Sequence, residues 1–285
     1  MTAAQPLDRL SPLFERFRVR ASLFHAGPLC GVTHFDAQPG RGFLHVMRNG
    51  EMAVSHAAQT GLVERLQVSE PSLVFYPRPL AHDFHNAPAE GADFVCATLD
   101  FEDGHPLAQA LPPLIVLPLA RVQGIQATLA LLFGEAEQVR CGQRLLADRL
   151  FEVLLLQLLR WMLDQPDSPL PLGLMRGLSD PALARALTAL HDAPGHPWSL
   201  EAMAAQAGMS RSRFAAAFRD ALGQTPADYL ADWRLAIARR ELRAGKPLKV
   251  LASELGYANA SALSRLFVQK HGGLSPRAWL QRHAG

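Results

Sequence analysis

Two groups of side chains in this 285-residue chain could do chemistry. The first comprises Arg211, Ser212, Arg213, Ala215, Ala216 and Arg219, matched further on by Ala260, Ser261, Ser264, Arg265, Gln269 and Lys270, with Lys249 between. Guanidinium, hydroxyl and amide groups interleaved with alanine suit a nucleic-acid duplex. Arginine pairs with guanine or phosphate, and alanine meets thymine methyls or permits close approach. The second group lies near the N-terminus: His25, His34, His45, His56, His82 and His85, with Cys30 and Cys96. Such residues suit a borderline ion such as zinc, or thiol redox chemistry. No Gly-rich phosphate loop, H-E-x-x-H or G-x-S-x-G motif occurs, so no catalytic residue is assigned.

The first group needs helices to present it. Leu200, Met203, Ala204 and Ala207 stripe a short helix that Gly208 ends, and Ser210 caps the next one. In that next helix Phe214, Phe218 and Leu222 recur every four residues, which turns Arg211, Ser212, Arg213, Ala215, Ala216 and Arg219 outward. The pattern recurs with Val250, Leu251 and Leu255, then Gly256, a cap at Asn259, and a core stripe of Leu263, Leu266 and Phe267. The caps stand 49 residues apart, and 229–242 reads as one connecting helix. These are two helix-turn-helix units on one body, able to enter successive major grooves of one DNA face. Within them Arg213, Arg219, Lys249 and Lys270 suit phosphate contacts.

Composition agrees. Residues 180–285 carry 14 Lys and Arg against 8 Asp and Glu, +6, and residues 1–179 carry 14 against 18, −4. A basic C-terminal part suits a polyanion. Residues 1–10 lack an apolar core segment, and the apolar run at 150–163 is short and broken by Glu152, Gln157 and Arg160. No leader, no membrane span and a cytoplasmic location are therefore expected, with three reduced cysteines. Cys141 is expected to be a small buried residue.

The chain reads as multidomain α+β. Residues 20–101 hold short alternating runs at 43–47, 52–55, 62–66, 72–76 and 94–99, punctuated by Gly, Pro and Asn, which indicates a β-sandwich or barrel. Leu-rich helices follow at 122–133 and 143–163, the second apolar on more than one face, which implies a partner such as a second copy. Residues 165–178 have linker composition. The expected divisions are 1–120, 121–164, a linker at 165–178, and 179–285.

Residues 180–285 resemble the AraC/XylS family of bacterial regulators. The resemblance rests on Gly208 with Met209 and Ser210, on the Gly223-Gln224-Thr225-Pro226 element with Tyr229 and Leu230, and on Trp233, Arg234 and Leu235. It also rests on Leu255-Gly256-Tyr257, Ser264-Arg265, Phe267 and Gly273-Leu274-Ser275-Pro276. Leu263 and Trp279 depart from the family's usual Phe and Tyr but stay apolar. Residues 20–120 resemble the family's cupin-type sensor through Phe43-Leu44-His45 with Asn49-Gly50, and through Pro77 with His82. The resemblance implies a homodimeric transcription regulator, not an enzyme, that binds promoter DNA, works with RNA polymerase and answers a small-molecule, redox or metal signal. Three readings of the sensor stand open: an apolar effector pocket, a Cys30–Cys96 redox pair, or a metal held by some of His45, His82, His85, Cys30 and Cys96. The H-x-H pair of cupin metal enzymes is missing, since Met47 follows His45. That weighs against a cupin enzyme fused to a DNA unit, and no activated cysteine cluster of an alkyl-transfer repair protein is evident.

Overall fold

A computed structural model describes residues 7–87, 89, 91–101, 105–165 and 170–282. They form two units, one of residues 18–171 and one joining the segment up to Phe17 to everything from Leu172 onward.

The chain opens with α1 (Ser11–Arg16), which belongs to the helical unit. Leu13 and Phe17 are buried, and Phe17 meets the Trp233 ring edge-on at 5.1 Å. Arg16 donates to the carbonyls of His191 and Asp192 at 3.0 Å, and Arg9 donates to that of Leu178 at 3.1 Å. The sequence-based first division, beginning at residue 1, is corrected accordingly: the apolar face of this segment is satisfied by the helical unit.

The first unit runs β1 (Val19–Pro28), β2 (Val32–Phe35), β3 (Arg41–Asn49), β4 (Met52–Ser55), β5 (Arg65–Val68), β6 (Ser72–Tyr76), β7 (His82–His85), β8 (Asp93–Phe101), α2 (Pro106–Ala110), β9 (Ile115–Pro118), α3 (Gln126–Glu137) and α4 (Gln143–Asp164). Two antiparallel sheets, ordered β1-β8-β3-β6-β9 and β2-β7-β4-β5, pack face to face. Between them lie Phe35, Phe43, Met47, Val54, Tyr76, Phe84, Phe94 and Cys96. On β3 the alternate residues Leu44 and Val46 are buried on the other face, so β3 is apolar nearly throughout. Helix α4 lies along the outer edge of β1: Asp148 accepts from the Leu23 N–H at 2.6 Å and Glu152 from the Ala21 N–H at 3.3 Å. Residues 121–164 fall within this unit.

The second unit continues with α5 (Leu174–Ser179), α6 (Pro181–Asp192), α7 (Leu200–Ala207), α8 (Arg211–Leu222), α9 (Pro226–Arg243), α10 (Leu248–Glu254), α11 (Ala260–Lys270) and α12 (Pro276–Arg282). Helix α5 corrects the linker expected at 165–178. Its Leu174, Met175 and Leu178 are buried, and that burial overrides the Pro/Gly composition. Residues 166–169 of that stretch lie outside the described residues.

Candidate functional site

Helices α8 and α11 are built alike. Gly208 ends α7 at φ +67° and Gly256 follows α10 at φ +74°, a left-handed backbone that glycine adopts without a Cβ penalty. Gly256 has a second constraint, since a Cβ there would overlap the Gly195 carbonyl oxygen. Ser210 caps α8 by accepting from the Arg213 N–H, and Asn259 caps α11 by accepting from the Ala262 N–H at 2.9 Å. Phe214 and Phe218, and Leu263 and Phe267, are fully buried. Trp279 is also buried, and it meets Phe267 edge-on at 5.7 Å.

The opposite faces are open. Arg211, Ser212, Arg213, Ala216 and Arg219 are exposed and Ala215 is half-buried; Lys249, Ser261, Arg265, Gln269 and Lys270 are exposed, with Ala260 and Ser264 half-buried. Two of these cations are tethered to carboxylates, Arg211 to Glu201 at 2.8 Å and Lys270 to Asp232 on α9 at 2.9 Å. Sequence reasoning could not see either pair, because both partners lie on other helices. Helix α9 packs against α7, α8, α10 and α12, so it joins both halves. Its 18 residues span ~27 Å at 1.5 Å per residue.

The N-terminal unit brings only part of the second group together. His45 and His82 are buried and their Nε2 atoms lie 3.1 Å apart. The Leu80 carbonyl can only accept, so His82 donates to it from Nδ1 at 2.9 Å. His82 Nε2 is then the acceptor, His45 Nε2–H donates, and His45 Nδ1 is left without a partner. Burial, above all, pushes the His45 pKa well down, and that of His82 to about 4. Both rings are therefore neutral at pH 7. His56 donates from Nδ1 to Val63 O and accepts at Nε2 from the Tyr76 hydroxyl, each at 2.9 Å.

Several expectations fail here. On β7 inward and outward side chains alternate, so His85 faces away from His82 and bonds the Ser55 hydroxyl at 2.8 Å. Among the described residues no three His, Cys, Asp or Glu side chains gather as a metal site would require. The donor set does not fit a metal: three of the four ring nitrogens of His45 and His82 are taken by each other and by the Leu80 carbonyl, and His45 Nδ1 has no second ligand beside it. The Cys30–Cys96 pair is not formed either. Leu29 bonds Ala92 and His25 pairs with Cys96. Cys30 thus lies opposite residue 91, about 16 Å along β8 from Cys96 at ~3.3 Å per residue, well beyond the ~7 Å a disulfide spans. Cys30 is exposed, Cys96 is buried with its thiol pKa raised by burial, and Cys141, expected inside, is exposed.

At the mouth of the same unit β1, β2, β3, β8 and the first turn of α4 enclose an open groove of about 1130 Å³. Residue patterning could not reveal it, because its lining is scattered from Arg20 to Arg144.

A family model described as a cupin matches residues 8–164, and one described as a helix-turn-helix domain matches 203–282. An AraC-like transcription regulator of Streptomyces antibioticus is 36% identical over 164 residues, 56% of this chain and 54% of that protein. The HTH-type transcriptional regulator AlkR of Acinetobacter baylyi is 31% identical over 174 residues, 59% of this chain and 56% of that protein. The chain thus spans about half the length of these curated relatives. ToxT from Vibrio cholerae O395 aligns with 95% of this chain and 99% of its own at 11% identity and a TM-score of 0.40. The cupin match covers more than half of the chain, so this protein belongs to the cupin family, with an AraC-type helix-turn-helix domain joined to its C-terminal side.

Proposed function

We propose that the chain is a sequence-specific, DNA-binding transcription regulator and not an enzyme, that α8 and α11 are its reading helices, and that a signal at the cupin unit controls it. One observation carries this: two capped helices of like construction, each with a buried apolar stripe and an exposed face rich in Arg and Ser, flank the single helix α9. Helix α9, ~27 Å long, packs against both halves, so the two reading helices sit on one body that can address successive major grooves of one DNA face. Arg211, Ser212, Ala215 and Ala216 read the first groove, and Ala260, Ser261, Ser264 and Arg265 the second. Arg213, Arg219, Lys249 and Lys270 serve the backbone, and Gln269 lies on the same exposed face.

The protein acts as a homodimer in the cytoplasm, in concert with RNA polymerase. Support for the dimer comes from α4, where Leu145, Leu146, Val153 and Leu156 are exposed (62, 46, 42 and 36%) on one long helix. The exposed face of the helix runs through Leu146, Arg149, Val153, Leu156 and Arg160, so three apolar side chains lie at seam spacing together with two arginines. Selection of bound duplexes from a random pool tests the DNA assignment: a defined site should emerge, lost on deleting 260–270. Recovery of unenriched sequence would refute it. Light scattering of the Leu146→Glu/Val153→Glu variant tests the dimer, which should become a monomer that still folds.

A further inference from the structure

The mouth groove has a chemistry of its own. Its strands stack the lining in rungs, because residues paired across neighbouring strands share a face. Arg20, Asp100 and Arg41 form the outer rung, and Ser22, Thr98 and Phe43 the next one inward. Phe35 and Phe43 are buried at the floor. Phe24 stands over them on β1, 45% exposed, with its ring centroid 6.0 Å from Phe35 and 6.1 Å from Phe43. A phenyl half in water above an aromatic floor is apolar surface awaiting a cover.

The rim is cationic. Arg41 bonds the Gln38 amide oxygen at 2.8 Å and Arg144 reaches the Ser22 hydroxyl at 3.4 Å. Among the described residues none of Arg20, Arg41 and Arg144 forms an ion pair with a carboxylate. Two carboxylates also line the groove. Asp36 is engaged by His34 at 3.1 Å, and Asp100 stands between Arg20 and Arg41. The three guanidiniums therefore exceed the two carboxylates. Helix α4 adds to the positive potential: its first residues, Gln143 and Arg144, line the groove, and it starts with no side-chain cap and no acidic residue in its first turn.

We propose that this groove is the signal site and that it takes an organic carboxylate with an apolar body, the carboxylate on the Arg20–Arg41–Arg144 rim and the body covering Phe24. This rests on the reading of the cupin unit as the sensor. Guanidinium matches the carboxylate fork in two parallel hydrogen bonds. A neutral polyol would leave the phenyl uncovered, and inorganic phosphate would use the rim alone.

Calorimetric titration of the full chain with 4-phenylbutyrate, its neutral amide and inorganic phosphate tests the assignment. The acid should bind saturably, the amide roughly tenfold or more weakly, and phosphate should not displace the acid. Arg41→Gln and Phe24→Ser should each weaken the acid roughly tenfold, Arg41→Gln with an unchanged melting temperature because that side chain is solvent-facing, and Phe24→Ser with a small loss of stability from its contacts with Phe35 and Phe43. No saturable binding of the acid, equal binding of acid and amide, displacement by phosphate, or wild-type affinity in both variants would each overturn the proposal. Binding of the selected duplex, measured without ligand on the same preparation, separates the two readings. A chain that binds DNA and not the acid defeats this inference alone, and one that binds the acid and not DNA defeats the regulator assignment alone.

Discussion

Replacing Arg265 by alanine is the sharpest perturbation of the DNA assignment. Arg265 is exposed on α11 and, among the described residues, forms no ion pair within the chain. Its loss should leave folding stability within ~0.5 kcal/mol, so the whole effect falls on binding. A bidentate contact to a guanine edge contributes ~1–3 kcal/mol, which at ~1.4 kcal/mol per decade is about 5- to 150-fold on the selected site. Scrambled duplex has no guanine in register and should lose far less. Lys249→Ala makes the contrast: a phosphate contact should weaken every duplex alike and lower the slope of log K against log salt by ~0.9. Arg211→Ala should cost less than Arg265→Ala, because Arg211 must first leave Glu201. Fluorescence anisotropy on both duplexes across a salt series, with thermal melts of each variant, reads all of this. An equal loss for Arg265→Ala on selected and scrambled DNA would refute base reading at that position.

Other outcomes follow from the same geometry. Gly256→Ala should lower stability by roughly 2 kcal/mol or more, from left-handed strain plus overlap with Gly195; an unchanged melting temperature would contradict the turn. His191 and His82 are held down to about 3 and about 4, in each case by burial first, from an unfolded value of 6.5. Between those values the unfolded chain binds more protons, so the stability these histidines contribute is intact above pH ~6.5 and declines below it, each by on the order of 1 kcal/mol per pH unit. His82→Gln should flatten the acid limb of the β unit's melting curve; an unchanged slope would show that the ring is not held neutral. Iodoacetamide should label Cys30 and Cys141 in the native protein and spare Cys96, and an oxidant-dependent Cys30–Cys96 crosslink would contradict the strand register.

The helical unit was legible because its rules are local. A glycine, a cap three residues before an N–H, and Phe at four-residue spacing all sit within one window, so α8, α9 and α11 match their sequence reading within a residue or a few. Strands at 52–55 and 72–76 were equally plain. What escaped depends on distant partners. Helices α1 and α5 are short and irregular in composition, and they exist because the unit's other helices bury Leu13, Leu174 and Leu178. The histidines were visible as a list, but which of them meet was decided by the parity of β7: one residue's difference sends His82 inward and His85 out. Cys30 and Cys96 looked like a pair only because sequence carries no distance.

The carboxylates of Asp148 and Glu152, one turn apart on α4, occupy two of the amide groups through which β1 could recruit a further strand. That margin of the sheet is sealed from within the same chain, and a neighbouring molecule that tried to extend it would have to evict two charged acceptors and the helix that bears them. Main-chain pairing along this part of β1 is blocked.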